Sequence, residues 1–189
     1  MVIIEKEEID YKRRNIYINE DIDENIAKEV IRQIVEINDY DYEQRLEDIY
    51  YKDKPISLFL TTSGGSTDEA LAIYDIIKHS RTQVNIYVLG RCYSAGFIIL
   101  LAGDCRLAYP NANFMLHELS YNPEYDKLTT HKNYVQEFGR CQEKINQLIL
   151  QNTKIKLDKL NDYLEKGKDW YMNTDEALDL GVIDKIIDR

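Results

Sequence analysis

The 189-residue sequence predicts an α/β fold, a sheet layered with helices in a single domain. Three observations carry that prediction. β-Branched and aromatic runs alternate with amphipathic helical stretches along the chain. Two strand-to-helix joints are marked by glycine and serine: Ser63-Gly64-Gly65-Ser66, and the segment from Gly90 to Gly103, GRCYSAGFIILLAG. A hydrophobic fraction of 44% over this length suffices for a core of the chain's own.

Each element follows from its local pattern. Residues 16–18 read as a short strand. Residues 23–37 read as a helix with Ile26, Ala27, Val30, Ile31, Ile34 and Val35 on one face. Residues 38–54 are rich in Asp, Glu and Tyr and read as a solvated loop or an extra helical turn, with a binding surface of Tyr40, Tyr42, Tyr50 and Tyr51 as the alternative. Residues 58–62 (LFLTT) form a buried strand. It leads into a helix from near Thr67, with apolar positions at Ala70, Leu71, Ile73, Tyr74 and Ile77 and a capping box of Ser66 and Glu69. Residues 84–89 (VNIYVL) are a strand, 97–101 a buried helical turn, and Asn113–Leu116 (NFML) another strand. A polar segment after His117 enters a helix with Tyr134, Phe138, Cys141, Ile145, Leu148 and Ile149 on its apolar side, followed by a shorter helix at Leu157–Leu164. Asp169 leads into the apolar run Trp170, Tyr171, Met172. Asn173 and Glu176 cap the last helix, and Gly181 ends it.

Ser94 is the chemically suggestive residue. It stands between an apolar strand and an apolar helix, where its hydroxyl would lie near unpaired backbone N–H groups and the positive helix end, a setting that stabilises an oxyanion. An ordinary N-cap is the competing reading, favoured on this segment alone. Gly64 and Gly65 let backbone N–H groups approach a ligand, or simply make a tight turn; neither a phosphate-binding loop nor a dinucleotide fingerprint is present. A serine nucleophile needs a base, and there are three histidines. His79 falls in the last turn of a helix, His131 lies on a polar stretch, and His117 ends an apolar strand where a side chain can face a cleft. Among 34 acidic residues Asp169 ranks first as an orienting carboxylate, because its entry into an apolar strand would partly desolvate it.

The formal net charge of −10 argues against nucleic acid or an anionic membrane surface as a partner. No apolar run is long enough to cross a bilayer, and Met1-Val2-Ile3-Ile4-Glu5 is no signal sequence because charge interrupts it at once. Cys92, Cys105 and Cys141 have no C-x-x-C spacing. They read as free thiols in a reducing cytoplasm, with no zinc or other metal expected and Cys92 as a small apolar packing residue.

Several motifs taken together carry a resemblance: the Gly-Gly helix with Ile73-Tyr74-Asp75, the Gly90 to Gly103 segment, Met115-Leu116-His117, Asp169 before Tyr171-Met172-Asn173, Glu176-Ala177, and Gly181-Val182-Ile183-Asp184. From about Ile16 to the C-terminus the chain resembles ClpP, the proteolytic subunit of the Clp protease. The resemblance implies a ClpP/crotonase-like α/β fold of repeated ββα units with a projecting handle helix at about 118–152, in one peptidase domain spanning 1–189. It implies a serine endopeptidase with Ser94 as nucleophile, His117 as general base, Asp169 as its orienting partner, and the Gly65 and Ala95 N–H groups as oxyanion hole. It also implies self-assembly into heptameric rings stacked as a tetradecamer around a chamber. An AAA+ unfoldase would feed the chamber; ATP would be used only by that partner, and no cofactor is expected. Three other jobs share this architecture: a virus-type capsid-processing protease, a catalytically silent ring subunit, and a crotonase-type acyl-CoA enzyme that uses the same glycines to polarise a thioester.

The chain departs from the family's pattern at several points. Only fifteen residues precede the first strand, which predicts a wider axial entrance. Residues 38–54 exceed the family's usual connection and read as an insertion. Glu118-Leu119-Ser120-Tyr121 replace a proline and glycines after the histidine, and Thr62-Ser63 replace Ser-Pro. Lys168 replaces an arginine that in the family pairs with a carboxylate across the ring contact, which predicts a weaker, more salt-sensitive contact here.

Overall fold

Alternate residues in three neighbouring strands are fully buried, and this period of two builds the sheet. Ile16 and Ile18 in β1 (Asn15–Ile18), Ile56, Leu58 and Leu60 in β2 (Ile56–Thr62), and Val84, Ile86 and Val88 in β3 (Val84–Tyr93) form the core side. Helices α1 (Glu24–Glu47), α2 (Thr67–Lys78) and α3 (Ala95–Leu100) pack against these strands and one another. On the other face Tyr17, Phe59 and Tyr87 stand in register across the three strands as a continuous stack, with ring centroids 5.3 and 5.1 Å apart. The computed structural model describes residues 14–120, 127–164 and 166–187. Most of the short N-terminal segment, and residues 121–126 of the polar segment after His117, lie outside the described residues.

The sheet runs β1-β2-β3-β4-β7 in parallel, where β4 is Cys105–Ala108 and β7 is Lys185–Ile186. β3 is longer than its apolar run predicts, and it forks. Residues 85–88 pair with β4, and residues 91–93 pair instead with β5 (Asn113–Leu116), with the register against β2 shifting between the two halves. β6 (Trp170–Met172) then pairs antiparallel with β5. The fork carries β5 and β6 away from the main sheet to the point where β3 meets α3.

Helix α1 departs most from expectation, running 24 residues rather than stopping near Ile37. Its buried positions are Ala27, Val30, Ile34, Ile37 and Asp41, a 3-4-3-4 spacing that replaces Val35, which is exposed, and continues through a carboxylate. Asp41 is fully buried because its oxygens are satisfied: it pairs with Arg14 and accepts from Tyr51 and, at its other oxygen, from Thr82. Asn38 does similar work one turn earlier, accepting from the Arg81 and Thr82 N–H groups. The Tyr- and acid-rich stretch is therefore helix as far as Glu47, anchored by one polar face.

The cap of α2 is also corrected. Ser66 accepts from the Glu69 N–H at 3.5 Å, but its own N–H donates to Ile22 C=O at 2.8 Å, so only half of the capping box forms. α6 (Thr174–Asp179) has the complete box between Asn173 and Glu176, and Gly181 follows it at φ 68°. α4 (Leu128–Asn152) is the expected long helix. Ile145 and Ile149 are buried on the body near its C-terminal end, whereas Tyr134 and Val135 are exposed near its N-terminal end. α5 (Leu157–Leu164) has the predicted bounds. Among the described residues no helix is long and apolar enough to cross a membrane. The three cysteines are free thiols; Cys92 is completely buried, and burial pushes its pKa up.

Candidate active site

Ser94 sits where β3 turns into α3, with φ 54° and ψ −120°. A non-glycine residue at positive φ is uncommon and is held there by its surroundings. Here the Ser94 N–H donates to Met115 C=O at 2.9 Å and its C=O accepts from the Phe97 N–H at 2.9 Å. Its side chain makes no cap hydrogen bond to α3, which corrects the N-cap reading. The sharp turn presents the hydroxyl outward instead, as strained strand-to-helix turns do for nucleophiles. Gly64 is what makes room: an added Cβ would lie 2.7 Å from Ser94 Cβ and 3.2 Å from its Oγ. Its neighbour Gly65, at φ 136°, has no room for a Cβ against the Ile22 backbone. Among the described residues neither the Gly65 nor the Ala95 N–H donates to a protein acceptor.

His117 directly follows β5, half-buried, and its Nε2 lies 2.7 Å from Ser94 Oγ. The other two histidines are not brought to Ser94. His79 caps the end of α2 with Nδ1 2.8 Å from Asp75 C=O, and His131 lies within α4. Asp169 immediately precedes β6. The β5–β6 register pairs Leu116 with Trp170, so the next residues outward, His117 and Asp169, stand opposite one another on one face. Its carboxylate is not desolvated as expected: Asp169 is exposed, and Oδ2 accepts from the Tyr171 hydroxyl at 3.4 Å. Among the described residues it makes no hydrogen bond to His117, whose one partner is Ser94. Gly64 is legible in the sequence as half of the Gly-Gly pair, but its packing against Ser94 and the Tyr171 hydroxyl bond to Asp169 escape sequence reasoning. The only local signal for Tyr171 is its i+2 spacing from Asp169 in a strand.

A narrow, mostly apolar cleft opens beside Ser94 and His117, floored by Ile98, Leu116, Ile145, Ile149, Leu160 and Leu164. It adjoins a wider groove between the start of α2 and α4 that shares Thr67 and Leu119 with it and includes Gly65. Among the described residues no three His, Cys, Asp or Glu side chains cluster so as to hold a metal ion. The arrangement can take a proton from a hydroxyl beside free N–H donors, and the cleft next to it, about 20 Å³, is apolar but holds no more than a water.

A family model, Clp protease, matches residues 6–189. ATP-dependent Clp protease proteolytic subunit 2 of Treponema pallidum (strain Nichols) is 26% identical over 178 residues, which cover 93% of this chain and 83% of that protein. A solved structure of a ClpP1 mutant from Listeria monocytogenes superposes with a TM-score of 0.80 at 24% identity, covering 95% of this chain and 94% of that one. At that identity the superposition establishes the fold, which is the ClpP/crotonase-like α/β fold.

Proposed function

The chain belongs to the Clp protease family, and from that premise we propose that it hydrolyses peptide bonds by acyl transfer through Ser94. The observation that carries this reading is the 2.7 Å contact between His117 Nε2 and a serine hydroxyl held outward by a strained turn. His117 takes the Ser94 proton as Oγ attacks the peptide carbonyl, then gives it to the leaving amine. Water, deprotonated by the same imidazole, releases the acyl group. The Gly65 and Ala95 N–H groups receive the oxyanion; loss of one such donor typically costs ~2.7–4 kcal/mol of transition-state stabilisation. Asp169, opposite His117, rotates to accept from Nδ1 and so fixes the tautomer and stabilises the imidazolium. Catalytic hydrogen bonds that are open in a resting site commonly close around substrate.

The cleft floor is apolar, and at about 20 Å³ the cleft would have to widen to take an apolar side chain next to the scissile bond. The adjoining groove gives an extended peptide a path past Gly65. Self-assembly into stacked heptameric rings fits the exposed apolar residues of α4, and an AAA+ unfoldase is the partner that family membership suggests for such a chamber. The test is Ser94→Ala assayed on short fluorogenic peptides ending in apolar residues, alongside fluorophosphonate labelling of the wild type. Labelling should map to Ser94, and the variant should lose hydrolysis by at least about a thousandfold while keeping its circular dichroism. A variant that retains activity, or a wild type that is not labelled at Ser94, overturns the assignment.

A further inference from the structure

Asp169 is held by a neighbour on its own strand. Tyr171 lies two residues along, so both side chains leave the same face of β6, and its hydroxyl donates to Asp169 Oδ2 at 3.4 Å. The Tyr171 ring is fixed from the other side by an edge-to-face contact with Tyr93, the residue before the nucleophile, with centroids 5.9 Å apart. A phenol of ordinary pKa, ~10, is already a donor throughout the neutral range, and that of Tyr171 is raised further by desolvation and then by the Asp169 charge. His117, directly across the strand pair, has its Ser94 contact formed and no bond to the carboxylate.

We propose that Tyr171 is a positioning residue whose hydroxyl competes with His117 Nδ1 for the Asp169 carboxylate, and so sets the fraction of molecules in which the third member of the catalytic unit is engaged. The inference rests on the assignment of Asp169 as the partner of His117. A carboxylate has acceptor sites for both donors, so the competition is over its orientation: Tyr171 draws the carboxylate along β6, whereas His117 lies across the strand pair. In the resting arrangement the phenol has it. Because the Tyr171 ring rests on Tyr93, a substrate or neighbouring surface that moves either ring would release the carboxylate toward His117 without altering Ser94 itself.

The experiment is Tyr171→Phe, which removes the donor and keeps the ring and its Tyr93 contact, measured alone and in an Asp169→Ala background. Peptide kcat and the rate of fluorophosphonate labelling are both read. The expected result is a rise in kcat of roughly twofold to tenfold with KM unchanged, the span of one exposed hydrogen bond, and no rise when Asp169 is already absent. An unchanged or lower kcat in Tyr171→Phe overturns the proposal, as does a gain that persists without Asp169. If Asp169→Ala alone matches the wild type, the assignment of Asp169 fails first and the competition falls with it. A Tyr171→Leu variant adds a check on packing: it should reproduce the Phe gain only if its melting temperature is unchanged, and a gain seen with Leu but not with Phe counts against the hydroxyl.

Discussion

Ser94 is placed by its neighbours in a conformation that costs about 1–3 kcal/mol for a residue bearing a Cβ. That strain makes a prediction independent of activity. Ser94→Gly should be more stable than Ser94→Ala by about 1 kcal/mol, because glycine relaxes at positive φ and alanine does not, and both should be inactive. Denaturant titration of the two variants checks this, and equal midpoints would mean that the turn stores no strain. Gly64 is the converse case. Gly64→Ala brings a Cβ against Ser94 at φ 118°, so it should remove most peptide hydrolysis and fluorophosphonate labelling while leaving Ser94 chemically intact. At this scale the placement of Ser94, His117 and Asp169 beside strand ends is legible in the sequence. The backbone angle of Ser94 and the rotamer of Asp169 are not, since the first is held by Gly64 and Met115, far away in the chain, and the second by Tyr171 through a side-chain contact that residue type does not encode.

Helix α1 shows how an element is misread when its buried face turns polar. The rule that apolar residues mark the core side predicts an end near Ile37, because Asp41 breaks the pattern. The structure keeps the 3.6-residue period and satisfies the carboxylate from three separate segments, with Arg14 before β1, Tyr51 after the helix and Thr82 before β3. No local window contains those partners. Burial works against the Asp41 charge, but hydrogen bonds from Arg14, Thr82 and Tyr51 outweigh it and hold its carboxyl below the ordinary range, while the Asp41 hydrogen bond raises Arg14 against the burial that lowers it. A depressed carboxyl contributes stability that is present above the unfolded-state pKa of ~3.9 and is lost as pH falls through the lower folded value. Thermal unfolding between pH 2 and 7 should therefore show a steeper acid loss for the wild type than for Asp41→Asn. At neutral pH Asp41→Ala should cost about 3–5 kcal/mol, since it leaves Arg14 buried without its counter-charge. An Asp41→Ala protein as stable as the wild type would mean that water replaces the carboxylate and that the polar face does not anchor the helix.

The whole molecule brings three distant positions together through one topological device. β3 changes partner halfway, from β4 to β5, so the strand that ends at Ser94 also carries the pair of strands that end at His117 and begin after Asp169. The alternation of strands and helices makes the layered fold legible, but the fork is not: Gly90 and Arg91 end the apolar run, so the second half of β3, which pairs with β5, reads as a joint and not as strand. Helix α4 is legible as a long amphipathic helix for the opposite reason, and what its pattern leaves open is which part meets the body. A 25-residue helix is about 38 Å long, and in this one Ile145 and Ile149 are buried whereas Tyr134 and Val135, on its N-terminal half, stay exposed. In the proposed assembly this exposed apolar pair would be covered by a second copy of the chain. Val135→Asp puts a charge there without touching the fold of the protomer, where exposed substitutions shift stability by about 0.5 kcal/mol or less. Sedimentation should show a shift toward smaller species than the wild type at the same concentration, with far-ultraviolet circular dichroism unchanged and peptidase activity falling in step with the large species. If the variant sediments as the wild type does, the exposed half of α4 is not an assembly surface; if it dissociates yet keeps full activity, the site of each protomer is complete without its neighbours.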